Sequence, residues 1–159
     1  MVRMITNRLA YTHDSVADAS YIYFGDPACS SEARGAFLGV RLDMAAIVVS
    51  FGDEGRLMGI EVLGASKVLP QEILNDTSEQ ESPRQAVPRF LDCAYDDVSD
   101  VARVLTCSSP CAVIRRVAAE IAPEQFSATV DFSDGSNIIG IEIRNASHVL
   151  PSALLGPGD

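Results

Sequence analysis

Two pairs of aspartates are the first residues in the chain whose type and spacing could do chemistry. Asp14 and Asp18 lie four positions apart, and Asp96 and Asp100 repeat the interval. On a helical turn such carboxylates share one face, close enough to hold a cation or a proton between them. A hard cation asks for about six or more oxygen ligands, and no third acid recurs at ligand spacing, so no metal is assigned. The competing role is local: Asp14 and Asp96 accept backbone N–H bonds in the turn before a strand. Glu61 and Glu142 form a further pair, each set between apolar neighbours (Ile60 and Val62, Ile141 and Ile143). Strand alternation turns them away from those neighbours, toward solvent, toward each other, or toward an arginine across an interface. Solvent is the favoured destination; a buried acid there would have a raised pKa and become a candidate general acid. These six acids are the candidate binding residues.

The remaining reactive side chains favour structural roles. Ser66 and Ser147 each precede a short helical segment, where a hydroxyl caps free N–H groups, and neither lies in a G-x-S-x-G elbow. His148 stands where the other half of the chain has Lys67, which fits a tolerant surface position. His13 adjoins Asp14 with no activated serine or cysteine nearby in sequence. Cys107 and Cys111 are spaced C-x3-C with no second pair to complete a zinc tetrahedron, and read as small fillers flanking a turn. With Cys29 and Cys93 they are expected to be reduced thiols. The chain shows no P-loop, no dinucleotide fingerprint and no H-E-x-x-H. No catalytic residue and no cofactor is assigned.

The charge balance narrows the partners. Among 159 residues, 22 acids oppose 12 bases, a formal net charge of −10. Such a chain repels phosphate backbones unless a basic patch overrides the field, and Arg115–Arg116 is its only adjacent basic pair. Direct nucleic-acid binding is therefore not expected. A basic protein is the partner that an acidic surface suits, and "DCAYDDVSD" (92–100) would form part of that surface. No apolar run approaches the roughly 20 residues of a membrane span, and "MVRMITNRLAYTHD" does not read as a signal peptide, so a cytoplasmic location is expected.

These residues recur because the chain recurs. "GIEVLGASKVLP" (59–70) returns as "GIEIRNASHVLP" (140–151), and Val49–Leu74 aligns without a gap to Val130–Leu155, with twelve identities in twenty-six positions. Upstream, "HDSVADASYI" (13–22) faces "YDDVSDVARV" (95–104). The organisation expected is a first repeat at 1–75, a polar linker at 76–90 and a second, divergent repeat at 91–159. In the first repeat "ASYIYF", "AFLGVRL" and "AIVVSF" read as strands by alternation and β-branched content. "GDEG" (52–55) marks a hairpin turn into "RLMGIEVL", and Pro70 opens a short helix. The fold expected is α+β and mainly β. Two tandem antiparallel β-meander units, each closed by a short C-terminal helix, would lay their apolar faces together as a pseudo-twofold pair.

"DSVADASYIYF", the turn "GDEGRL" and "GIEVLGASKVL" resemble the small bacterial proteins of the domain of unknown function 2283 family. The family pattern is matched at Asp14, Asp18, Ala19, Tyr21, Ile22, Gly59, Ile60, Glu61, Ala65 and Ser66, with His13 where the family has tyrosine. The second repeat keeps Tyr95, Asp96, Asp100, Gly140, Ile141, Glu142, Ala146 and Ser147 but carries Arg103–Val104 in place of Tyr-Ile. The resemblance implies a compact β-rich domain without an agreed activity, and an antitoxin- or inhibitor-like role. The function expected is a non-enzymatic protein-interaction module that engages a basic protein and, beyond the fused pair, a second copy of itself. The alternative is an enzyme binding a small ligand or metal at a site between the repeats.

Overall fold

The computed structural model describes residues 4–25, 35–52, 55–74, 89–107, 112–118, 127–133 and 137–156. The first repeat contributes β1 (Met4–Asp14), β2 (Ala19–Tyr23), β3 (Gly35–Arg41), β4 (Ala46–Phe51) and β5 (Leu57–Leu63), then one-turn helices α1 (Ala65–Val68) and α2 (Gln71–Leu74). The second contributes β6 (Arg89–Asp96), β7 (Val101–Leu105), β8 (Arg115–Ala118), β9 (Ser127–Phe132) and β10 (Ile138–Arg144), then α3 (Ala146–Val149) and a 3-10 turn at Ser152–Leu154. The ten strands make one antiparallel, nearly barrel-shaped sheet in the order β3-β4-β5-β2-β1-β6-β7-β10-β9-β8. No described helix is long and apolar enough to cross a membrane.

Period-2 alternation sets β1, β2, β6 and β7. Leu9 and Tyr11 on β1, Ser20 and Ile22 on β2, and Leu91, Cys93 and Tyr95 on β6 point to the buried side, while the residues between them are exposed or half-buried. The buried apolar side chains of both repeats belong to one cluster, from Leu9 and Ile60 to Ile143 and Leu150. A fully buried side chain of this size contributes about 1.5–3 kcal/mol relative to leaving it in water. Edge-strand residue Arg115 covers the rim of this core, its guanidinium 4.6 Å from the Phe132 ring centre.

Two expectations need correction. The units are not meanders: β5 returns to pair with β2 (Tyr21 opposite Glu61), leaving β3 at the edge, and β10 pairs with β7 in the same way. The physical reason is burial. β5 and β10 carry the apolar Gly-Ile-Glu stretch, and β10 is buried from Ile138 through Ile143, which suits an interior strand and not an edge. The repeats also join by strand pairing. β1 and β6 pair from Met4 opposite Asp96 to Tyr11 opposite Arg89, a seam that the sequence did not suggest.

The closing segments position the repeated Ala-Ser step (Ala65–Ser66, Ala146–Ser147) in each chain half. Gly64 (φ 70°) and Asn145 (φ 52°) take the left-handed conformation that turns β5 into α1 and β10 into α3. Pro70 stands just before α2, where its carbonyl accepts from Ile73 and Leu74. Each repeat thus ends in two short turns, not the single helix expected. The turn between β4 and β5 is closed by Gly52 N–H to the Arg56 carbonyl (2.8 Å), and Arg56 then reaches the other repeat. Its Nη1 donates to the carbonyls of Ser147 (2.8 Å) and Leu150 (2.9 Å) at the end of α3, where unsatisfied carbonyls favour a cation.

Candidate functional site

The four aspartates hold turns. Asp14 Oδ1 accepts the N–H groups of Val16 (2.9 Å) and Ala17 (3.0 Å). Asp96 Oδ1 accepts from Val98 (3.0 Å) and Ser99 (3.4 Å), and its Oδ2 from the Ser99 hydroxyl (2.8 Å). The Ser99 hydroxyl above all, then the Val98 N–H, holds the Asp96 carboxyl below its ordinary value. Asp18 (φ 51°) and Asp100 (φ 54°) end these turns in the left-handed region, which aims each carboxylate at the helical segment after the far strand.

There the helix capping expected of the serines is reversed. Asp18 Oδ1 accepts the Ser66 N–H (2.8 Å), its Oδ2 the Ser66 hydroxyl (2.7 Å), and its carbonyl the Ala65 N–H (3.0 Å). Asp100 does the same for Ser147 (2.7 and 2.8 Å) and Ala146 (3.1 Å). An aspartate remote in sequence therefore caps α1 and α3, and Ser66 and Ser147 are donors to it. The hydroxyl and N–H of Ser66 hold the Asp18 carboxyl below the ordinary range. In the second repeat Tyr95 adds its hydroxyl to Asp100 Oδ1 (3.1 Å), whereas His13 at the matching position bonds Ser20 (Nδ1 to Oγ, 2.8 Å). Burial first, and Asp100 second, push the Tyr95 phenol up.

Asp100, Ser147 and His148 stand together, with His148 Nδ1 3.2 Å from Ser147 Oγ. The order is wrong for nucleophilic catalysis, which needs the imidazole between acid and serine. Here the serine lies between, donating to the acid. The two aspartate pairs also stay apart. Asp96 faces Met4 across the β1–β6 seam while Asp14 ends β1, roughly 30 Å away at about 3.3 Å per residue.

The outer face of the sheet differs between repeats. In the first, Tyr21 lies over Gly59, where any Cβ would run into its ring; the phenol bonds Ser50, and burial raises its pKa. Tyr23 packs beside it, ring centres 4.6 Å apart. Glu61 is half-buried next to Tyr21. In the second, Arg103 replaces Tyr21 and Glu142 is only 8% exposed, contrary to the solvent position expected for it. Glu142 Oε2 takes Arg103 Nη2 (2.7 Å) and its Oε1 Arg144 Nε (3.4 Å). The Arg103 hydrogen bond is the main reason its carboxyl lies below the ordinary value, against the opposing effect of burial, and the charge of Arg116 adds to the same effect. Asp131, 2% exposed, holds Arg116 through Nε (2.7 Å) and Nη2 (3.3 Å). The Thr129 hydroxyl, on β9 opposite Glu142, is buried with no hydrogen-bond partner among the described residues.

Arg103, Arg116, Arg144, Asp131 and Thr129 were not singled out as site residues from the sequence. The signal was present: once β7 and β10 are paired in register, "VARV" sets Arg103 against Glu142. Among cysteines, Cys93 is 1% exposed and its thiol is pushed up to about 11 by burial; Cys107 is half-buried. Cys29 and Cys111 lie outside the described residues. Among the described residues no group of three or more His, Cys, Asp or Glu is arranged to hold a metal.

Fold and site together define a mainly β, antiparallel protein whose aspartate turns clamp an Ala-Ser step onto the sheet. Residues 10–66, from β1 through Ser66, match the family described as protein of unknown function (DUF2283). No curated protein and no solved structure matches the chain.

Proposed function

We propose that the chain is a non-enzymatic interaction module of the cytoplasm that neutralises a basic protein, in the manner of an antitoxin or inhibitor. In this reading it consists of two fused family domains, the second divergent, related by a pseudo-twofold axis at the β1–β6 seam. The strand order supports the axis, because β1-β2-β5-β4-β3 and β6-β7-β10-β9-β8 run outward from the seam in the same sequence.

The observation that carries the reading is the pair of turns between β1 and β2 and between β6 and β7. Each turn projects a valine between aspartates, Val16 at 93% exposure and Val98 at 69%. The carboxylates are fixed by backbone and serine donors, so each turn is a preorganised acidic rim around an apolar contact. Charge would steer a basic partner, and valine would add contact area once it arrives.

The test is native mass spectrometry of the protein purified gently from its own host. A stoichiometric basic protein, released by Val16→Asp with Val98→Asp and with affinity falling steeply as salt rises, is the expected result. A bound ion or small molecule with no protein partner would overturn the module and restore the enzyme alternative.

A further inference from the structure

The arginine cluster of the second repeat lies on the outer sheet face and carries the opposite charge to the acidic turns. Its arginines pair with the buried Glu142 and Asp131, but the scaffold itself does not require the cluster. The first repeat builds the same scaffold with Tyr21, Leu63, Val48 and Ser50 where the second has Arg103, Arg144, Thr129 and Asp131. Exchanging ion pairs for packed apolar groups is often neutral or stabilising, so stability alone gives no reason to collect five charges here.

The arrangement has the features of a receptor for an anion. Glu142 and Asp131 are covered, with side-chain exposures of 10% and 3%, while the side chains of Arg103, Arg116 and Arg144 keep 46%, 45% and 58%. Each acid grips its arginines by one or two N–H groups and leaves the other donors of the guanidinium facing outward. Three cations against two anions leave one positive charge. Thr129 lies between Glu142 on β10 and Ala118 on β8, and its buried hydroxyl has no partner within the described protein. An unsatisfied buried hydroxyl is a standing cost that a bound oxygen would remove.

We propose that this face is a phosphate-binding site, framed by Arg103, Arg116 and Arg144 and centred on the Thr129 hydroxyl, for a small phosphate-bearing ligand. Guanidinium forks match the spacing of phosphate oxygens, and a multiply charged anion gains most from an excess of cations fixed in advance. The site is distinct from the acidic turns and does not depend on the partner proposed for them.

The full chain should be titrated by calorimetry at low salt with inorganic phosphate, and in parallel with sulfate and acetate. The expected result is one phosphate per chain with a dissociation constant of about 1 mM or tighter, and weaker binding of acetate. Arg103→Tyr and Arg144→Leu install the first repeat's own residues, and each should weaken binding about tenfold or more, with Tm read alongside because Arg103→Tyr removes the main partner of the buried Glu142. Thr129→Val, again the first repeat's residue, is the decisive variant. It should weaken phosphate about fivefold while Tm stays level or rises, because a purely structural threonine would leave affinity untouched. Absence of saturable binding, equal or tighter acetate binding, or full affinity in Thr129→Val with Arg144→Leu would overturn the site.

Discussion

Asp18 and Asp100 combine two properties that few side chains offer together: they tolerate positive φ, and they present two oxygens to a neighbouring helix end. Replacement by alanine loses both, replacement by glycine only the second. Asp18→Ala should therefore destabilise by about 1 kcal/mol and Asp18→Gly by less, read as urea midpoints. Asp100→Ala should cost more than Asp18→Ala, about 2 kcal/mol, because it also strands the half of a hydrogen bond offered by Tyr95. Glu142 gives a pH dependence of definite sign. Its folded pKa lies below its ordinary 4.5. The stability it contributes is therefore complete above that value and is lost as pH falls through the folded pKa. Asp18 and Asp96, lowered from 3.8, act in the same direction. Urea midpoints should fall on acidification below about 4.5, and Glu142→Gln should flatten the upper part of that limb. Cys93, buried and raised to about 11, should resist thiol reagents at pH 8 in the native protein and react only on unfolding.

At the scale of elements, the glycine of the Gly-Ile-Glu motif separates the two repeats. Gly59 lies under the Tyr21 ring, so Gly59→Ala forces ring or strand to shift and should destabilise by about 1–3 kcal/mol. At Gly140 the nearest atom to an added Cβ is the Val104 carbonyl oxygen at 3.4 Å, with no side chain among the described residues lying over it as Tyr21 lies over Gly59. Gly140→Ala should be neutral or stabilise by up to about 0.5 kcal/mol, checked by the same melts. Strands β2 to β5 were legible within a residue or so because their alternation is strong and the Gly52–Gly55 turn punctuates it. The first and sixth strands were not read, although Leu9 and Tyr11, and Leu91, Cys93 and Tyr95, keep the same period. Their other faces carry Thr6, Arg8 and Asp14 on the first and Asp92 and Asp96 on the sixth, so that the local sequence is dominated by polar and charged residues. The aspartate turns were recognisable as turns, but their clamp on Ser66 and Ser147 was not. It depends on a positive φ and on strand order, neither of which a local pattern reveals.

At the scale of the whole molecule, the shared core, the β1–β6 ladder, the Asn7 amide on the Leu154 carbonyl (2.8 Å) and the Arg56 guanidinium on the end of α3 all tie the repeats. Arg56→Ala removes two charge-assisted hydrogen bonds and should lower stability by about 2 kcal/mol without changing the far-ultraviolet spectrum. Residues 1–75 expressed alone would expose the edge of β1 along its length. They should pair with a second copy through that edge, giving a dimer by light scattering. A monodisperse monomer would show that the first repeat closes without its neighbour.

The seam also orders events at synthesis. β1 leaves the ribosome well before its partner β6, which begins at Arg89, so the edge stays bare while most of the first repeat is already complete. During that interval a neighbouring nascent chain offers an equivalent strand. Two chains that exchange partners there would each satisfy the same ladder with the other's β6, forming an intertwined dimer with every native contact intact. Translation speed and polysome crowding, as well as sequence, then decide how much of the protein emerges single and how much emerges exchanged.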